Sequence, residues 1–246
     1  MMNAIEAKGL TKRFGPKTAV NQLDLTVPEG ELFALLGVNG AGKTTTIRML
    51  TCLSAATEGE CSICGHSCQQ ESAAVKALIG ISPQDTAVAE NLTVRENLMF
   101  MAQVYGFDRK ESQRRTQELL GQFGMEEVAS SRAKTLSGGW KRRLSIAMAL
   151  IGGPRVLFLD EPTLGLDVLA RRELWRVIEG LKGKITILLT THYMEEAERL
   201  ADRIGVMVGG QLVACGTLAQ LEAETGKSGL EEAFVAIAER SLKEHA

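Results

Sequence analysis

The chain has 246 residues, of which 45% are hydrophobic and 24% are charged, as expected of a globular protein with a sizeable core. This composition excludes an intrinsically disordered chain. Lys and Arg number 28 against 30 Asp and Glu, so the net charge is −2, which argues against nucleic acid as a partner. No apolar stretch approaches the roughly 18 residues of a membrane-spanning helix, and no secretory signal is found, so we expect a cytosolic chain.

The first fifty residues predict three strands and a helix. Residues 4–10 and 19–27 alternate between apolar and polar side chains, with a polar turn predicted at residues 11–16. Residues 32–36 are continuously apolar, which is typical of a strand that is buried on both faces. A glycine-rich segment follows at residues 37–44, and a helix is predicted from Thr44 onward.

The remaining elements predict an α/β fold. Residues 85–150 contain no strand-like run and carry helical spacing, which indicates a helical subdomain inserted into the α/β core. A strand at 156–159, a helix at 170–181 and a strand at 185–190 then alternate, which implies parallel strands joined by crossovers. We expect one domain over residues 1–220 and a tail of one or two amphipathic helices over residues 221–246.

The glycine-rich segment predicts a phosphate-binding loop. It fits the pattern G-x-x-x-x-G-K-[ST] and lies between a buried strand and a helix, so its N–H groups and the helix dipole would surround a phosphate. Lys43 would contribute a charge to the β- and γ-phosphates, and the Thr44 hydroxyl would bind Mg²⁺. The predicted nucleotide-binding residues here are Gly37, Val38, Asn39, Gly40, Ala41, Gly42, Lys43, Thr44 and Thr45.

Two acidic residues follow the predicted strand at 156–159. That strand carries Asp160 and Glu161 to the carboxyl edge of the sheet, where ligands bind in open α/β folds. Asp160 would reach Mg²⁺ directly or through water, and Glu161 could orient or deprotonate an attacking water.

Several further motifs give the chain a resemblance to the ATP-binding cassette (ABC) ATPases over residues 4–220. The segment LSGGW precedes a helix predicted at 141–151 and resembles the signature sequence of that family. The matching positions are Phe14, Gln84 after LIGISP, Leu136, Ser137, Gly138 and Gly139 of the signature, Asp167 in the segment GLD, and His192 after ILLTT.

The resemblance implies a P-loop NTPase (RecA-like) core with a mainly parallel sheet, an antiparallel N-terminal β-subdomain and the inserted helical subdomain. It implies that Phe14 stacks on adenine, that Gln84 contacts ATP and Mg²⁺, and that His192 contacts the γ-phosphate beside Lys43 and Glu161. Two such domains pair head to tail in this family. The signature residues and Asp167 would then act across the dimer, on ATP that is bound by the partner.

The segments LSGGWKRRL, TTHYMEEAERLA and TVRENL are most similar to the ATPases of daunorubicin-type, nodulation-factor and polysaccharide exporters. This resemblance implies an integral-membrane permease on a separate polypeptide, a location at the cytoplasmic face of the membrane, and a homodimer or a paired ABC ATPase. The alternative is a soluble ABC ATPase without a transport role, of the iron–sulfur-assembly type, against which Leu136 argues because that type tends to have Phe there.

Two features lie outside this pattern. Trp140 stands where the family commonly has Gln, which leaves the backbone donors of the signature intact but puts a side-chain contact to the ribose in doubt. Cys61, Cys64 and Cys68 have spacing that metal sites also use. Strand alternation would send Cys61 and Cys64 to opposite faces, so we interpret these cysteines as small apolar residues.

Overall fold

The computed structural model describes residues 2–244, and the strands of this part of the chain form two sheets. The strands are β1 Asn3–Phe14, β2 Lys17–Pro28, β3 Leu32–Leu36, β4 Glu58–Ile63, β5 His66–Ser67, β6 Ile79–Ser82, β7 Val156–Asp160, β8 Thr186–Thr191, β9 Arg203–Val208 and β10 Gln211–Gly216. The helices are α1 Lys43–Leu50, α2 Ser72–Leu78, α3 Val94–Val104, α4 Arg109–Gln122, α5 Gly138–Leu150, α6 Val168–Glu179, α7 Met194–Leu200, α8 Leu218–Thr225 and α9 Leu230–Glu244.

The smaller sheet is antiparallel, with the strand order β2-β1-β4-β5. The turn predicted at residues 11–16 is wrong, because β1 continues to Phe14 and only Gly15 and Pro16 separate it from β2. Thr11 explains the difference. It is fully buried, and its hydroxyl accepts from the Gln22 N–H at 3.0 Å, so a residue that looks like part of a polar turn holds the two strands together.

The larger sheet contains the predicted buried strands in the order β10-β9-β3-β8-β7-β6. Its pairs are parallel except that of β9 with β10, two strands that were not predicted from the sequence. Alternate residues of β3 enter two hydrophobic cores: Leu32 contacts the core beneath α5 and α6, and Phe33 contacts the core shared with α1 and the antiparallel sheet. This burial on both faces accounts for the continuously apolar sequence of β3.

The inserted segment is helical, as predicted, and its helices begin at capping residues. Thr93 forms a capping box with Glu96 at the start of α3, Asp108 accepts from the N–H of Glu111 at α4, and Ser137 caps α5. The helical pattern of the sequence and these caps together set where each helix starts.

The tail contains the two predicted helices, α8 and α9, and both pack onto the main core through Leu221 and Phe234. Because α8 begins at Leu218, before the predicted boundary at residue 220, the division of the chain into an ATPase domain and a tail stays a prediction. None of the helices in residues 2–244 is both long and apolar enough to cross a bilayer.

Leu35 tests how strongly the main sheet depends on β3. Its side chain is fully buried, so Leu35→Ala should lower the free energy of unfolding by about 2–5 kcal/mol through lost burial and a residual cavity. Leu242→Ala, at a site that is 62% exposed, is the matched control, and it should stay within about 0.5 kcal/mol of the unaltered chain. Chemical denaturation followed by circular dichroism measures both, and equal shifts for the two variants would contradict the prediction.

Candidate functional site

A cavity of about 440 Å³ opens at the carboxyl edge of the larger sheet. It lies where β3, β7 and β8 end and where the loops that follow them converge. Most of the site residues predicted from the sequence line it: Phe14, Asn39, Gly40, Ala41, Gly42, Lys43, Thr44, Thr45, Gln84, Glu161 and His192.

The glycine-rich loop can adopt its shape only because two of its positions have no side chain. A Cβ at Gly37 would lie 2.5 Å from the Met207 carbonyl oxygen, and one at Gly42 would lie 2.5 Å from that of Ala19. Gly42 also has φ +106°, in the left-handed region that favours glycine. The loop therefore turns tightly against β2 and β9 and leads directly into α1, whose first residues, Lys43, Thr44 and Thr45, line the cavity.

Lys43 lies beneath this loop and is nearly buried, with 6% of its side chain exposed. Its Nζ donates to the carbonyl oxygens of Gly37 at 2.7 Å and Val38 at 3.3 Å, and it forms an ion pair with Glu161 Oε1 at 3.1 Å. The ammonium is thus held at the cavity floor by acceptors that an anionic ligand could replace.

Glu161 links Lys43 to His192. One carboxylate oxygen faces the lysine, and the other lies 2.7 Å from His192 Nδ1. The backbone of Glu161 has φ +49°, an uncommon conformation for a residue with a side chain. Its N–H donates to the carbonyl and the hydroxyl of Thr190, each at 3.1 Å, so β8 holds this turn in place. The strained turn directs the carboxylate into the cavity.

Asp160 lies one residue earlier and is 5% exposed. Its Oδ1 accepts from the hydroxyls of Thr44 at 3.1 Å and Thr190 at 2.6 Å. Thr44, Asp160 and the cavity-lining Gln84 are oxygen-bearing side chains of the kind that Mg²⁺ prefers. The donor set therefore fits the magnesium site that the sequence predicts, in which Thr44, Asp160 and Gln84 would hold the ion.

Phe14 stands at the rim of the cavity with 55% of its surface exposed. The Lys12 ammonium lies 5.1 Å from the centre of its ring. An aromatic ring that is this exposed at the edge of a pocket is available for stacking on a planar ligand.

The signature residues do not line the cavity of their own chain. Ser137 is the N-cap of α5, and Asp167 is the N-cap of α6, accepting from the N–H groups of Leu169 and Ala170 at 2.9 Å. A Cβ at Gly139 would lie 3.0 Å from that of Ala170, so the two helix starts are neighbours. All five residues predicted to act across a dimer are therefore grouped at these two starts: Leu136, Ser137, Gly138, Gly139 and Asp167.

The structure adds residues that the sequence analysis missed. Lys17, Ala19 and Leu164 also line the cavity, although no motif distinguishes them in the sequence. Thr190 contacts both Asp160 and Glu161, and its place at the end of a buried strand beside the acidic strand end is the signal that could have identified it. Glu196 is fully buried below the site. Its Oε1 accepts from Trp175 Nε1 at 3.0 Å, and burial raises its pKa.

Cys52, Cys61 and Cys68 form a separate cluster beside α1, whereas Cys64 lies near Glu29 and Arg155. Cys61 and Cys68 are buried, and the Cys68 N–H donates to the Cys61 carbonyl at 2.9 Å. Burial raises the pKa of the Cys52 thiol to about 11, so this thiol stays protonated near neutral pH. Within residues 2–244, no group of three or more His, Cys, Asp and Glu side chains is arranged to hold a metal ion. The thiols pack as small apolar groups.

Comparison with known proteins places the chain among ATP-binding proteins of ABC transporters. A model of the ABC transporter family matches residues 20–164. The linearmycin resistance ATP-binding protein LnrL of Bacillus subtilis is 39% identical over 97% of this chain and 79% of its own length. The daunorubicin resistance ATP-binding protein DrrA3 of Streptomyces coeruleorubidus is 42% identical over 91% of this chain and 71% of its own length.

A much longer relative is the phospholipid-transporting ATPase ABCA3 of Homo sapiens, which is 42% identical over 92% of this chain. The chain spans only 14% of the length of that protein. Among solved structures, the ATP-binding subunit of an ABC transporter aligns with a TM-score of 0.85 and 32% identity, over 95% of this chain and 99% of that one. The dimeric post-hydrolysis state of the cassette MJ0796, bound to ADP and Pi, aligns with a TM-score of 0.78 and 26% identity, over 87% and 98%.

Proposed function

The chain belongs to the ABC transporter family, and we propose that it is the ATP-hydrolysing subunit of an exporter whose permease is a separate integral-membrane polypeptide. Its fold is that of the family's P-loop ATPase domain, as the sequence resemblance implied. The observation that supports the proposal most directly is the cavity in which Lys43, Glu161 and His192 meet beside the glycine-rich loop.

In this proposal the phosphate oxygens of ATP accept hydrogen bonds from Lys43 and from the N–H groups of the loop. The Lys43 ammonium, which is held by the Gly37 and Val38 carbonyls and by Glu161, would donate to the β- and γ-phosphates. The N–H groups at the start of α1 and in the loop would add further donors with favourable dipole orientation. Glu161 would be released from its ion pair with Lys43 when a phosphate arrives.

A general base must lie within hydrogen-bond reach of the water that it deprotonates. Glu161 lines the cavity, so its released carboxylate would accept a proton from the attacking water. His192 is already bonded to the same carboxylate and would orient it while approaching the γ-phosphate. When bound at Thr44, Asp160 and Gln84, Mg²⁺ would neutralise developing charge on the phosphate oxygens.

The signature residues supply the argument for a dimer. Ser137 and the backbone of Gly138 and Gly139 lie at the N-terminus of α5 but outside their own chain's cavity, so their donors are available to a second chain. We propose a head-to-tail dimer, as a homodimer or with a paired ABC ATPase, in which these residues contact the γ-phosphate bound by the partner. The dimeric state of the MJ0796 relative supports this arrangement.

An apolar groove of about 380 Å³ beside Gln84 is proposed to receive a cytoplasmic helix of the permease. Ile81 and Pro83 form one wall, and Met101 and Tyr105 of α3 form another. Leu53 also lines this groove, with 59% of its surface exposed. Movement of the Gln84 loop on ATP binding would be transmitted directly to a helix seated there.

The names of the relatives favour export over the soluble alternative. These relatives are named for resistance to linearmycin or daunorubicin and for phospholipid transport, and none of them is named for iron–sulfur assembly. We therefore propose a drug, lipid or polysaccharide as cargo and a location at the cytoplasmic face of the membrane. The net charge of −2 gives no basis for a nucleic-acid partner.

Glu161→Gln tests the catalytic assignment. The variant keeps the size of the side chain but removes the base, so turnover should fall by at least about 100-fold while ATP stays bound. Steady-state phosphate release and retention of radiolabelled ATP measure the two effects. Glu179→Gln, which removes only a surface ion pair with Arg199, is the control and should retain full activity. Near-normal turnover in Glu161→Gln would rule out the assigned role.

Phe14→Ala tests adenine stacking. Loss of one aromatic contact should raise the KM for ATP by about 2–10-fold and leave kcat nearly unchanged, because the ring touches no reacting atom. Phe14→Tyr should preserve the KM. The control is Phe100→Ala, an equally exposed phenylalanine on α3 outside the cavity. An unchanged KM in Phe14→Ala would remove this residue from the nucleotide site.

The permease is tested by affinity purification from membranes of the native cell. An integral-membrane protein should co-purify with the chain, and Met101→Lys should abolish its recovery because a charge is placed in the apolar groove. Val235→Lys, on the exposed face of α9, is the control, and it should recover as much of the membrane protein as the unaltered chain does. Recovery of only soluble partners would support the iron–sulfur-assembly alternative instead.

A further inference from the structure

Arg142 occupies an unusual position for an arginine. It lies in the second turn of α5, just beyond the signature residues, and only 5% of its surface is exposed. Its Nη1 donates to the Pro83 carbonyl at 2.6 Å, and its Nη2 donates to the Gln84 carbonyl at 2.5 Å. One planar side chain thus spans two successive carbonyl groups of the loop that carries Gln84.

The hydrogen bonds of this guanidinium go to main-chain carbonyls rather than to a carboxylate. Burial lowers the pKa of Arg142, and the negative charges of Asp160, Asp85 and Glu196 act in the opposite direction. Holding a cation in this place is costly, so packing alone would be served better by an apolar residue of similar size. An arginine provides two parallel N–H donors in a fixed geometry, and here these donors bond the two successive carbonyl groups.

A second contact of α5 reinforces the first. Ser145 lies three residues after Arg142, on the same face of the helix, and its hydroxyl is 2.9 Å from that of Ser82 at the end of β6. Both hydroxyl groups belong to buried residues. Helix α5 therefore holds the end of β6 through Ser145 and the loop that follows it through Arg142.

We propose that Arg142 is a positioning residue that fixes the Gln84 loop to the signature helix. The Gln84 side chain lines the nucleotide cavity, and Pro83 lines the apolar groove. A displacement of the N-terminus of α5, where the signature residues lie, would therefore move the nucleotide site and the groove of the same chain together. This inference rests on the proposed function of the signature residues and of Gln84.

The test compares Arg142→Gln with Arg115→Gln in the purified chain. Arg115 is a matched control because its Nη1 also donates to a main-chain carbonyl, that of Ile151 at 3.0 Å, in the same subdomain but away from the Gln84 loop. Arg142→Lys is the second variant, since one ammonium group cannot bond both carbonyls as parallel donors.

We expect Arg142→Gln to lower kcat between about 10-fold and 100-fold with the KM for ATP changed less than about twofold, because Gln84 is misplaced rather than removed. The Mg²⁺ concentration for half-maximal activity should rise by about tenfold, as when a partner that orients a metal ligand is lost. Arg142→Lys should be intermediate, and Arg115→Gln should match the unaltered chain. If Arg142→Gln does not fold, the same comparison is made with Arg142→Lys.

Hydrogen–deuterium exchange of the nucleotide-free chain gives a readout that does not depend on hydrolysis. Amides of residues 84–90 should exchange faster in Arg142→Gln than in Arg115→Gln, while the amides of α5 stay unchanged. Equal exchange and equal kinetics in these two variants would overturn the proposal, as would a uniform increase in exchange along the chain. Absence of ATPase activity in the unaltered chain would instead contradict the proposed function, and the exchange measurement would still decide the role of Arg142.

Discussion

The candidate site depends on the parallel register of β3, β8 and β7. Leu36 pairs with Thr191 and Asp160 pairs with Thr190, so these strands end at the same level of the sheet. The glycine-rich loop lies more than a hundred residues before Glu161 and His192, and this register brings Lys43 of the loop and His192 to opposite oxygens of the Glu161 carboxylate. Because a strand has a side-chain period of two, a one-residue slip of β7 would turn Asp160 away from the cavity.

This convergence places several charged groups in a nearly buried site, where they are paired with one another. Lys43 and Glu161 are each 6% exposed and neutralise each other, and Thr190 donates to Asp160 while receiving the N–H of Glu161. Removing one member would leave an uncompensated charge. A triphosphate could take the place of the Glu161 carboxylate as the partner of Lys43 without leaving the buried ammonium unpaired.

The sequence predicted the larger sheet well where burial is complete, because β3 is apolar at every position and has no other stable placement. Motif spacing also identified the residues that line the cavity floor. Prediction from the sequence failed for Thr11, because threonine is common both in turns and in buried strands, and here it is a buried strand residue. It also missed β9 and β10, whose sequences carry no distinctive pattern. Lys17, Ala19 and Arg142 are positioned by tertiary contacts between distant segments, which local spacing does not encode.

The separation between the cavity and the signature residues determines how two chains could act on each other. Ser137 caps a helix whose start does not line the chain's own cavity, and in the proposed dimer its donors would contact the nucleotide of a second molecule. That same helix grips the Gln84 loop through Arg142. Contact between a nucleotide on one chain and the signature of the other would therefore act on the second chain's own nucleotide cavity and apolar groove. In this proposal α5 moves as a rigid body, with the signature residues at its N-terminus and Arg142 bonded to the Gln84 loop. It could therefore couple the nucleotide of one chain to the cavity of the other without any change in its own internal structure.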